Sequence, residues 1–272
     1  SDPVRINWDN GALGDRNPAW SQTYASWPPP NQTAWQLHFN DNGSMGTQPD
    51  SDGGEVQYRY TPLLGTQARG GYKLTGDLPD QTKGSWSTTP PEGTFAMFET
   101  SALESDKLFA GPGSVDLTLS STAPDTEVFV QIIDEAPDGS RYYVQRGMLK
   151  ASHRAIMRGL SDKLPNGEIY RPHRPHTNPT NVTPGTVYKY LVEIFPFGHV
   201  FRPGHKMIVK ITTPPIVDSY YAYVPKRVPG DNTVFHNAEF PSSLMLPFNP
   251  LHGVKLGPEP KPCTLEDVRC VR

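Results

Sequence analysis

The sequence has little cysteine, no long apolar run and no excess of either charge. Its two cysteines, Cys263 and Cys270, both fall in the last ten of 272 residues, and no Cys-x-x-Cys occurs. No apolar stretch approaches the ~18–20 residues needed to span a bilayer as a helix. Basic residues number 25 and acidic residues 28, a formal net charge of −3. With a pI of about 6.2 there is no electrostatic footprint for nucleic acid or acidic lipid. The first residues, Ser1-Asp2-Pro3-Val4-Arg5, hold neither a basic region nor an apolar one, so no signal peptide is read in this chain.

Proline and glycine are abundant, at 30 and 24 residues. Together they make up about one residue in five, against roughly 12% in an average protein. Proline is excluded from helix interiors, which argues against a helical bundle. Aromatic residues (5 Trp, 12 Tyr and 11 Phe) are too many for a solvated coil. These facts point to an all-β protein rich in loops.

Strand signals recur between turn clusters. Glu55–Tyr60 is one, and Val115, Leu117 and Leu119 alternate with Asp116, Thr118 and Ser120 in another. The stretch from Glu127 to Ile133 is nearly continuous in Val, Phe and Ile, as in a strand buried on both faces. Asp138-Gly139 then separates it from Arg141–Arg146, a hairpin signal. Val187–Phe195, Lys206–Thr212 and Ser242–Leu246 complete the series. Ile156, Met157 and Leu160 lie at helical spacing and predict one short helix over Ala151–Lys163. The expected fold is all-β, a sandwich or jelly roll with long loops and that single helix.

Recognisable catalytic motifs are missing. There is no G-x-S-x-G elbow, Walker loop, dinucleotide fingerprint or His-Glu-x-x-His. No cofactor and no metal site is expected. His173 and His176, in Pro-His-Arg-Pro-His, are the one close histidine pair and read as a solvent-exposed loop, since prolines impose an extended backbone. Asn40-Asp41-Asn42-Gly43 and Asp50-Ser51-Asp52 lack the ligand spacing of a calcium loop and read as turns. Cys263 and Cys270 are either free thiols or a small-loop disulfide, and the second would imply an oxidising compartment. Sequons at Asn31, Asn42 and Asn181 fit export, so a secreted or extracytoplasmic parent is expected, with a cytoplasmic one still open. Trp8, Trp20, Trp27, Trp35 and Trp86 are candidate interface residues. They could pack against another domain or stack on sugar rings, and the carbohydrate-binding module is the alternative reading.

Several segments in order carry a family resemblance. Phe109-Ala110-Gly111-Pro112-Gly113-Ser114-Val115-Asp116-Leu117 leads to Asp125–Val130 and Asp134–Gly139. Gly147-Met148-Leu149-Lys150-Ala151-Ser152-His153-Arg154 and Pro184-Gly185-Thr186-Val187-Tyr188 follow. Next come Phe201-Arg202-Pro203-Gly204-His205, Val234-Phe235-His236-Asn237 and Pro241–Pro247. Upstream, Asp9-Asn10-Gly11-Ala12 and Trp27-Pro28-Pro29 fit a lead-in. This series resembles the C-terminal domain of the CocE/NonD hydrolases, the group of X-prolyl dipeptidyl-peptidases, cocaine esterase and α-amino-acid ester hydrolases.

The resemblance implies a galactose-binding-like jelly roll over residues 1–258, with 259–272 as a tail. It implies a non-catalytic role, packed on an α/β-hydrolase domain of the same parent polypeptide that cleaves an ester or amide. No catalytic residue carries over, because no position here matches one. Arg154, Gly204 and His205 match family positions and are expected to be structural, His205 bonding nearby backbone. No nucleic-acid or membrane partner is expected, and self-association is left open.

Overall fold

The computed structural model describes residues 3–8, 18–61, 90–164, 166–213, 228–251, 253–259 and 270–271. Alternating segments become strands through most of it. β1 (Val4–Trp8) and β2 (Trp20–Tyr24) form a separate antiparallel ribbon, with Trp8 opposite Trp20. β3 (Thr33–Asn40), β4 (Ser44–Gly46) and β5 (Glu55–Tyr60) follow. Next are β6 (Phe95–Thr100), the long β7 (Lys107–Ser121), β8 (Glu127–Glu135) and β9 (Arg141–Lys150). A small hairpin joins β10 (Asp162–Lys163) to β11 (Ile169–Arg171). β12 (Tyr188–Phe201), β13 (Lys206–Thr212), β14 (Gly230–Phe235) and β15 (Ser243–Asn249) complete the main sheet. β16 (Cys270–Val271) pairs with β9.

The main sheet runs β12-β9-β8-β13-β6-β4-β3-β15-β7-β14-β5. It also closes on itself, because β12 pairs with β7 from Tyr188↔Leu119 to Phe201↔Lys107 and meets β9 at Ile194↔Gly147. Two layers therefore face each other across one core. Val115, Leu117 and Leu119 of β7 pack there with Val130 and Ile132 of β8 and with Val209 and Ile211 of β13. All of them are buried. Each such side chain contributes roughly 1.5–3 kcal/mol of hydrophobic stabilisation. A second cluster joins Trp8, Leu108, Ala110 and Val200, with Trp20, Val254 and Leu256 packed against it. The β1–β2 ribbon and the chain after β15 are thus held on one end of the sandwich.

Turn chemistry works as its residues dictate. The β8–β9 hairpin turns through Gly139 at φ +83°, where a side chain would be strained, and Asp138 Oδ1 accepts the Ser140 N–H at 2.9 Å. The helix predicted over Ala151–Lys163 does not form. Ala151–His153 is a single 3₁₀ turn, and Asp162–Lys163 is strand. Met157 and Leu160, meant for its apolar stripe, stay 43% and 60% exposed. Helices in proteins draw most of their stability from packing such a stripe, which finds no surface here. The Met157 N–H instead donates to the His173 carbonyl at 2.8 Å. No helix among the described residues is long and apolar enough to cross a membrane.

Candidate functional site

The Phe201-Arg202-Pro203-Gly204-His205 segment links β12 to β13. Gly204 adopts φ +81°, a conformation that side chains other than glycine rarely take, and its N–H donates to the Leu103 carbonyl at 2.7 Å. That turn swings the His205 ring inward. Its Nδ1 meets Asp134 Oδ1 at 2.8 Å, and His199 Nε2 meets Asp134 Oδ2 at 2.8 Å. All three residues are buried. The expectation that His205 bonds nearby backbone is therefore corrected for its side chain, which pairs with a carboxylate of β8. Only its main chain bonds locally, His205 N–H to the Arg202 carbonyl at 3.1 Å.

Electrostatics follow from that packing. Burial by itself would raise the Asp134 carboxyl, but hydrogen bonds from His199 and His205 outweigh it and hold the group below its ordinary value. Burial would likewise lower the His205 imidazole, yet Asp134 beside it wins and raises it. Arg202 fastens the following chain, donating to the Gly257 carbonyl at 2.6 Å and to Asp106 at 3.2 Å. A His–Asp–His cluster resembles half of a catalytic relay. Here it ties β8 to the end of β12 and the start of β13, and Arg202 beside it holds the chain at Gly257.

A cleft of about 380 Å³ opens on the outer face of β3, β15, β7 and β12, roofed by the excursion around β11. Ser114 and Asp116, the polar partners of the core alternation in β7, form its floor with Gln36 and Ser243. Lys189 and Arg158 also line it. Burial pushes the Asp116 carboxyl up, opposed by those two cations. Arg154, at its rim, donates to the carbonyls of Ala151 and Thr180 at 3.2 and 2.6 Å. Its guanidinium lies 4.5 Å from the Tyr188 ring centroid, a cation–π geometry.

The tryptophans do not form one platform. Trp8 is buried and stacks on Trp20 with centroids 5.1 Å apart, and Trp35 packs on Phe109 at 5.2 Å. Trp27 is 50% exposed. Trp86 lies outside the described residues, as do Asp9–Ala12 and Cys263. Cys270 is disulfide-bonded. Asn40 ends β3 and Asp41–Gly43 forms a 3₁₀ turn, whose Asp41 N–H donates to Asp50 Oδ2 at 2.9 Å. No group of three or more His, Cys, Asp or Glu among the described residues could hold a metal. His176 meets His153, its Nδ1 3.2 Å from that ring's Nδ1.

Sequence reasoning missed Asp134, His199, His153 and the Asp116–Lys189–Arg158 grouping. Asp134 left a trace, as a carboxylate directly after the apolar pair Ile132-Ile133 near the end of β8. The others join residues from segments far apart in the sequence and left none.

Comparison with known proteins adds the lineage. The family described as "X-Pro dipeptidyl-peptidase C-terminal non-catalytic domain" matches residues 3–244. A candidate serine esterase of Mycobacterium bovis is 25% identical over 75% of this chain and 32% of its own length. Cocaine esterase of Rhodococcus is 21% identical over 69% of this chain and 31% of its own. The chain thus spans about a third of the curated relatives it matches. A crystal structure of a CocE/NonD family hydrolase from Staphylococcus aureus aligns with TM-score 0.67 at 16% identity, over 92% of this chain and 42% of that one. An α-amino acid ester hydrolase aligns with TM-score 0.59 at 16% identity, over 85% of this chain and 39% of its own.

Proposed function

The chain belongs to the X-Pro dipeptidyl-peptidase C-terminal non-catalytic domain family, and we propose that it is the accessory jelly roll of a larger serine hydrolase. In this reading it packs on an α/β-hydrolase domain of the same polypeptide, which cleaves an ester or amide. One observation carries the reading: the family match runs over residues 3–244, while the matched part is only about a third of the relatives' own length.

The exposed apolar residues supply a contact surface for that domain. Trp27 is half exposed and precedes Pro28 and Pro29, which line a groove of about 440 Å³ together with Leu164 and Tyr170. Met157 and Leu160 are exposed in the same excursion as Leu164. Exposed apolar surface rimmed by polar groups marks an interaction site. Residues 1–258 form the accessory domain in this reading, with 259–272 its tail. The disulfide on Cys270 supports an oxidising, extracytoplasmic compartment for the parent.

The experiment is to express this chain and the hydrolase portion as separate polypeptides. Co-elution, with no turnover of a p-nitrophenyl ester by this chain alone, is the expected result. Turnover by the pure chain that disappears on mutating one of its own serines would overturn it.

A further inference from the structure

Ala151–His153 and the loop through His176 come from segments more than twenty residues apart, yet backbone bonds lock them together. Ala151 N–H donates to the Thr126 carbonyl at 2.8 Å, and Ser152 N–H to Asp125 Oδ1 at 2.8 Å. From the other side, Thr180 N–H donates to the Ser152 carbonyl at 2.9 Å, and the Arg154 guanidinium reaches the Thr180 carbonyl. His176 itself adopts φ +54°, the left-handed region that residues with a side chain seldom occupy. Its imidazole is brought to His153 with Nδ1 facing Nδ1 at 3.2 Å and ring centroids 5.2 Å apart.

We propose that His153 and His176 form a two-histidine site for a divalent transition-metal ion of the zinc and copper class. The spacing fits the chemistry. Imidazole nitrogens bind zinc at about 2.0–2.1 Å, so two of them at a tetrahedral angle stand about 3.3–3.4 Å apart. Imidazole selects zinc, copper and nickel over magnesium and calcium, which prefer oxygen ligands. Two protein ligands leave the remaining positions to water or to a small ligand. Without a metal, the same contact is one shared N–H hydrogen bond, so the two states differ in a measurable way.

The test titrates zinc chloride into the tag-free, chelator-stripped chain by isothermal calorimetry in a non-coordinating buffer at pH 7.5. One equivalent is expected to bind. His153→Ala and His176→Ala should each weaken binding at least tenfold, while His173→Ala leaves it unchanged. His176 is on an exposed loop, so His176→Ala decides the question even if His153→Ala misfolds; circular dichroism without metal checks both. Absence of saturable binding in the parent chain overturns the proposal, as does binding that survives in His176→Ala. Neither result depends on the hydrolase reading above.

Discussion

His205 of the β12–β13 turn and Asp134 of β8 are 71 residues apart in sequence, and their side chains meet at 2.8 Å in the interior. His199 takes the other carboxylate oxygen, so one acidic group holds two strands. A buried charge kept this way is costly to uncover, because removing one partner leaves the others desolvated and uncompensated.

Asp134→Ala should therefore destabilise the chain by about 3–5 kcal/mol, read as a loss of urea midpoint. The pair also sets a pH dependence. The lowered Asp134 carboxyl contributes stability above its unfolded value and loses it as pH falls through the folded one. The raised His205 imidazole contributes fully below its unfolded value and loses it as pH rises through the folded one. With unfolded values of about 3.9 and 6.5, the contribution is greatest between roughly pH 4 and 6.5 and declines above that window. Urea unfolding at pH 5.5 and 8.5 should show the decline in the parent chain and a flatter profile in Asp134→Asn.

Lys210 of β13 presents the opposite case. Burial, with Arg141 adding to it, pushes its ammonium down to about 8. The protonated lysine is thus penalised on folding below that pH, and the penalty fades as pH rises from the folded value to the unfolded one near 10.4. Lys210→Met is expected to gain about 1–3 kcal/mol near pH 6.5 and much less near pH 10. An equal gain at both pH values would assign the effect to packing.

Gly257 carries the chain past Trp20 so closely that a Cβ there would stand 2.1 Å from the indole. The ring cannot yield readily, since it stacks on Trp8. Gly257→Ala should cost roughly 1–3 kcal/mol as overpacking. Loss of the Trp8–Trp20 stack should shift tryptophan fluorescence along with thermal stability.

Trp27→Ser combined with Leu160→Ser tests the contact surface. Both side chains are at least half exposed, so stability should change by less than about 0.5 kcal/mol per site. Association with the hydrolase portion should weaken, as seen by co-elution or light scattering. Unaltered association would place the interface elsewhere.

Periodicity made the strands legible. Val115, Leu117 and Leu119 announced which side of β7 faces inward, and Asp138-Gly139 announced the turn after β8, because both signals are local consequences of backbone geometry. Helical spacing at Ile156, Met157 and Leu160 was equally local and misled, since spacing says nothing about whether a surface exists to cover it. The sequence by itself determined an all-β sandwich with a continuous core and, through ordered short motifs, its family. Only the tertiary structure decided what meets across the sheet: Asp134 with two histidines, His153 with His176, Asp116 with Lys189 and Arg158. Those neighbours depend on the register of β12 against β7 and on the closure of the sheet, which long-range packing selects and no window of sequence contains.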